Sequence, residues 1–140
     1  MQRKALRIIS FSQFDAHSGP IFKKLKLLKL KDHITLENCL LVYDFLKNKL
    51  PNSFDNFFVT TNQIYSSQKY LRSVEKGLLF IPFANTTKYG LNSLQRKCIS
   101  CWNHFTTQFN CNLQNISRLQ LKNKITQYFL NSHWMTLKTR

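Results

Sequence analysis

The chain has 140 residues, 43% hydrophobic and 14% aromatic, with only three glycines and three prolines, which excludes wholesale disorder and low-complexity classes. Lys and Arg total 21 against 6 Asp and Glu, a formal net charge of +15 with a pI near 10.0. Such a surface repels itself unless a polyanion screens it, so phosphate backbones are one reading of the charge and a merely solvated basic face the other.

The elements follow in chain order. Residues 2–10 predict a helix with Ala5, Leu6, Ile8 and Ile9 apolar and Arg3, Lys4 and Arg7 interleaved. It leaves little room for an N-cap, as though it continued an element begun upstream. The opening MQRKALRIISF has the basic start of a signal peptide, but Ser10, Ser12 and Gln13 break its apolar run, so secretion is not expected. A loop, FSQFDAHSGP, precedes a second helix with Ser18 as N-cap and Pro20 in the first turn. That helix, IFKKLKLLKL, places Phe22, Leu25, Leu28 and Ile21 on one stripe, with Lys23, Lys24, Lys26, Lys29 and Lys31 around the rest. Asp32 is the expected cap of a longer helix over about 33–49, whose Leu36, Leu40, Tyr43 and Leu46 form the centre of the core and which ends at Pro51.

Beyond it, NSFDNFF predicts a short helical turn, 59–77 a polar surface loop, and GLLFIPF a short extended run kept from a central strand by Pro82. A turn-rich link leads to a helix from Leu94, with Leu94, Ile99, Trp102 and Phe105 as its apolar face. The last helix starts at Ser117 and buries Leu121, Ile125, Tyr128 and Phe129. The predicted fold is mainly α: a small helical domain with long irregular loops and at most a short extended segment. Residues 1–140 read as one accessory domain or fragment, with a basic helical part (1–51), a loop-rich part (52–92) and C-terminal helices (93–140). No stretch reaches the roughly 18 apolar residues that span a bilayer, so no membrane partner is expected.

The order of several motifs resembles the region downstream of the polymerase core in non-LTR retrotransposon (LINE) reverse transcriptases, the jockey type above all. KALRIISF is similar to that family's basic "ALRII" helix, and HSGPIFKKLKLLKLKD to its "HTxPLFxxLxILKLxD". Asn48, Leu50 and Pro51 match "NxLP", and Phe54 to Phe58 match "FxxxF". Pro82, Thr86, Tyr89, Gly90, Ser93 and Leu94 follow, then the "WN" pair Trp102–Asn103 and a closing amphipathic helix. The likeness covers nearly the whole chain. It implies a C-terminal accessory fragment of a transposable element's RNA-directed DNA polymerase, intracellular with the nucleus included, that contacts RNA or DNA and the upstream polymerase domain. The chain departs from the family at Gln63, Gln68 and Asn85, where the family carries His or basic residues. That implies a weaker grip on phosphates and leaves open a purely structural packing role or a decayed remnant without activity.

The chemistry of the residues agrees with an accessory role. Two-metal polymerisation needs clustered carboxylates, whereas the six acids here are scattered with no Asp-Asp pair, so no polymerase activity, no catalytic residue and no cofactor is expected in this chain. Cys98, Cys101, His104 and Cys111 have the residue types of a zinc site. Their gaps of two, two and six residues hold no glycine, unlike the even, glycine-bearing spacing of a zinc knuckle, so they are expected to be helix cysteines. With Cys39, these cysteines read as reduced thiols. His17 is expected to hydrogen-bond within its turn, and Trp102 to be buried rather than to stack on a base. The expected nucleic-acid contacts are Arg3, Lys4, Arg7, Lys23, Lys24, Lys26, Lys29 and Lys31, eight positive charges in the first 31 residues against Asp15 alone.

Overall fold

The computed structural model describes residues 2–64, 76–86, 90–111 and 113–135, with side chains to 132. The fold is mainly α. Among the described residues its helices are α1 (Gln2–Ile9), α2 (Ser18–Lys24), α3 (Leu30–Leu46), α4 (Thr61–Ile64), α5 (Leu94–Phe109) and α6 (Arg118–Met135), with single 3-10 turns at Asn52–Phe54 and Leu113–Asn115. The only β pairing among the described residues is one antiparallel bridge, Thr60 to Leu79. Two compact units result, Met1–Ile34 with Asn123–Arg140, and Thr35–Lys122; the division runs inside α3 and α6.

In the first unit Leu6 of α1 packs on Ile21 and Phe22 of α2, with Leu25 against them. Here the structure corrects the expected second helix. The apolar stripe continues to Leu28, yet α2 ends at Lys24 because Lys26 turns left-handed (φ 52°). The turn is a Schellman closure: Lys26 N–H donates to the Lys23 carbonyl at 2.9 Å and Leu27 N–H to Phe22 at 2.9 Å. The cap also moves by one residue. His17 is the N-cap, its Nδ1 accepting from Gly19 N–H at 3.4 Å, while Ser18 is buried inside the helix.

The Gln2 side chain then joins α1 to the following connector. Its amide donates to the Leu28 carbonyl at 3.2 Å and accepts from Leu30 N–H at 3.1 Å, satisfying one of the first orphan donors of α3 from a remote position. Asp32 therefore lies in the first turn of α3 rather than before it, where its charge still favours the positive end of the helix dipole.

The second unit is built on α5. Cys98, Ile99, Trp102, Phe105 and Thr106 are buried at a helical period, whereas Leu94, expected on that face, is 52% exposed at the first turn. Buried Leu36, Cys39, Leu40, Val42 and Tyr43 of α3 and Leu113 and Leu121 complete this core. Ser93 and Ser117 cap α5 and α6 through their hydroxyls; at Ser117 a reciprocal bond to Gln120 completes a capping box (3.0 and 3.2 Å). Tyr43 donates to the Ile116 carbonyl at 2.9 Å, and Asp44 pairs with Arg118 through both carboxylate oxygens (3.0 and 3.1 Å).

Side chains of α5 also hold the irregular segment in place. Trp102 Nε1 donates to Gly77 O at 3.2 Å, and Arg96 Nη1 to Pro82 O at 2.6 Å. Gln95 Nε2 donates to Phe57 O. Asn103 takes both backbone groups of Leu79, accepting from its N–H at 2.9 Å and donating to its carbonyl at 2.8 Å, as a neighbouring strand would. This is why a stretch with one bridge keeps an extended course: a helix supplies the missing ladder. Edge-to-face rings, Phe54 on Phe57, Phe57 on Phe58 and Phe58 on Phe45, fix the preceding turn.

Candidate nucleic-acid interface

The eight basic residues singled out from the sequence all lie in the first unit. Residues 1–34 carry those eight against Asp15 and Asp32, whereas residues 35–122 carry ten Lys and Arg against four acids in a stretch more than twice as long. The charge is thus concentrated on one small helical body.

Their settings differ. Arg3, Lys4, Lys23, Lys24, Lys26 and Lys31 are exposed; Arg7 and Lys29 are half-buried. On α1, Arg3, Lys4 and Arg7 lie within an arc of roughly 100°, apart from Leu6, which faces α2. Arg7 has a structural duty as well: its Nε donates to the Ala16 carbonyl at 2.8 Å and braces the loop between α1 and α2. Lys23 and Lys24 occupy the last turn of α2, where positive charge complements the helix dipole. The left-handed turn at Lys26 ends the helix, so that Lys29 lies in the connector and Lys31 in the first turn of α3. Without the break, one continuous helix would spread these five lysines over roughly 220° of its circumference.

Among the described residues, no three His, Cys, Asp or Glu side chains gather where they could hold a metal ion. His104 is exposed on α5, and Cys111 lies beyond the helix end, after left-handed Asn110. Cys98 and Cys101 lie near Cys39 on α3, and the Asn38 side chain hydrogen-bonds Cys101. Burial raises all three thiols: Cys39 far above the ordinary thiol range, with Cys101 and Cys98 nearby adding to it, Cys98 up to about 11, and Cys101 less, opposed by the Asn38 bond. Neutral, buried thiols of this kind are core hydrophobes rather than nucleophiles. Trp102 is fully buried and His17 bonds within its turn.

Most of the resemblance-bearing residues have scaffold work. Asn48 closes α3 in the left-handed conformation (φ 53°), and Thr86 Oγ1 accepts from Gly90 N–H at 3.0 Å. Gly90 has no room for a side chain, since a Cβ would meet Ala84 Cβ at 2.7 Å. Ser93 caps α5, and Trp102 and Asn103 clamp the extended run. Of the departures, Gln63 accepts from Thr60 N–H at 2.9 Å, Asn85 is exposed, and Gln68, like Tyr89, lies outside the described residues. No helix of the described residues is long and apolar enough to cross a membrane.

The sequence marks Ile8 and Ile9 as apolar residues of a helix short of a partner, but it did not single out Phe11 and Phe14 beside them. Ile8 and Ile9 are 66% and 63% exposed, Phe14 79% and Phe11 98%. The available signal was two phenylalanines in a Ser/Gln loop next to three basic residues. Comparison with protein-family models, with curated proteins and with solved structures returned no match.

Proposed function

We propose that this chain is a C-terminal accessory fragment of a non-LTR retrotransposon reverse transcriptase, itself without polymerase chemistry, which holds template RNA or target DNA without reading sequence. The observation that supports it best is the concentration of Arg3, Lys4, Lys23, Lys24, Lys26 and Lys31 as exposed cations on one small helical unit. Flexible cations on short helices suit phosphates at variable positions and give orientation rather than base discrimination.

The test is the salt dependence of binding. With about five phosphates engaged, affinity for duplex or single strand should fall by about two to three orders of magnitude between about 50 and 200 mM salt. A double substitution, Lys24→Gln with Lys26→Gln, should lower the slope of log K against log salt by about 1.5 to 2. Binding that is absent at low salt, or insensitive to salt, refutes the reading.

A second reading, a segment that packs on the upstream polymerase domain, is favoured by exposed Ile8 and Ile9 on α1. It predicts α1 amides that exchange quickly in the isolated chain and become protected when the polymerase domain is added.

A further inference from the structure

The loop between α1 and α2 holds two phenylalanines that contribute nothing visible to the core. Phe11 is 98% exposed and Phe14 79%. Phe11 also sits in left-handed backbone, φ 51°, at the position of a helix-closing turn that glycine normally fills. Its N–H donates to the Ile8 carbonyl at 3.2 Å and that of Ser12 to the Arg7 carbonyl at 2.9 Å, the two bonds of a Schellman closure. A bulky side chain here is thus unfavourable for the backbone and unfavourable for solvation. Asn48 and Asn110 do the same job at the ends of α3 and α5 with a residue that tolerates it.

The loop is nevertheless well braced. Ser10 Oγ and Ser12 Oγ are 2.8 Å apart, Ser10 Oγ donates to the Arg7 carbonyl at 3.3 Å, and Ala16 N–H donates to Gln13 O at 3.1 Å. The Arg7 guanidinium ties the far end of the loop back to α1 through Ala16. A defined loop, following directly on the basic helix α1, therefore presents two rings to solvent. Backbone strain combined with an unburied ring points outward, to a ligand, rather than inward, to folding.

We infer that Phe11 and Phe14 are stacking platforms for unpaired bases, so that this unit takes single-stranded nucleic acid in preference to duplex. The inference rests on the phosphate-binding reading above. A plain ring has no donors or acceptors, so it accepts any base face, and the exposed cations of the same unit, Arg3 and Lys4 on α1 among them, supply the backbone attraction that stacking alone lacks. A duplex keeps its base faces covered and offers the rings nothing. A docked protein surface would use the same rings as hydrophobic anchors, and it is the alternative that the test separates.

The experiment measures binding of the full chain to a labelled oligothymidylate and to a mixed-sequence duplex, with a 2-aminopurine strand reporting stacking. The variants are Phe11→Gly, Phe14→Ala and, as a control from the other unit, Phe83→Ala, whose ring is 90% exposed. The expected result is tighter binding to the single strand. Phe11→Gly and Phe14→Ala should each lose about tenfold of that affinity and the 2-aminopurine quench, with the salt slope kept. Phe83→Ala should behave as wild type. Phe11→Gly should also melt higher than wild type, because glycine relieves the left-handed backbone, so weaker binding cannot be ascribed to unfolding. Unchanged single-strand affinity in both variants, or equal affinity for duplex, overturns the stacking inference while salt-dependent binding leaves the phosphate reading standing. No salt-dependent binding to either oligonucleotide overturns both.

Discussion

Replacing Asn103 by Asp should make the stability of this protein depend on pH in a way the parent lacks. Leu79 is 2% exposed, and both of its backbone groups are satisfied by one amide, at 2.9 and 2.8 Å. A carboxylate keeps the acceptor but turns the donor toward Leu79 O into a second acceptor. One hydrogen bond is lost, a buried carbonyl is left unpaired and two oxygens are opposed, a loss of about 3 kcal/mol near neutral pH. Protonated Asp has an O–H that can donate to Leu79 O, so in acid the loss should shrink to under about 1 kcal/mol. The sign follows: the folded carboxyl has its pKa raised above the ordinary value of about 3.9, so its stability is present below that pH and lost as pH rises through the folded value. A 2 kcal/mol swing corresponds to a rise of about 1.5 units, which places the transition between about pH 4 and 5.5. Urea denaturation followed by far-UV circular dichroism, for Asn103→Asp against wild type at each pH, reads this directly. The Asn103→Ala control should lose about 2 kcal/mol at every pH. A difference between Asn103→Asp and wild type that stays constant across the acid range would refute the clamp.

Two further outcomes are expected from the core of the second unit. The Thr106 hydroxyl is fully buried with no hydrogen-bond partner, so Thr106→Val should leave the protein as stable or raise it by about 1 kcal/mol in the same urea assay. Cys98 is buried with its thiol raised from 9.0 to about 11; unfolded thiols ionise first, so stability should be intact below pH 9 and fall as pH rises toward 11. The fall should be smaller in Cys98→Ala, and native Cys39 and Cys98 should react with an alkylating reagent only as fast as the chain opens.

What could be read from the sequence was whatever is written within one or two helical turns. The Ser117 cap needs only Gln120 three residues on, and the buried stripe of α5 shows as Ile99, Trp102 and Phe105 at helical spacing. The density of lysine and arginine before residue 32 was equally plain, since counting charges needs no geometry. The tertiary structure decided the rest, wherever a residue's partner is remote or its backbone choice is locally unfavourable. Asn103 meets Leu79 across 24 residues, and Gln2 meets Leu30 across 28, so nothing beside either amide indicates its task. The breaks at Phe11 and Lys26 carry no glycine to announce them, and the apolar period runs on through Leu28, so α2 was expected to be longer than it is. Those left-handed turns end α1 and α2 and leave Phe11 in solvent. Propensity alone disfavours both turns, and only the hydrogen bonds that close them, with the Leu6, Ile21 and Phe22 contact beside them, hold the chain there.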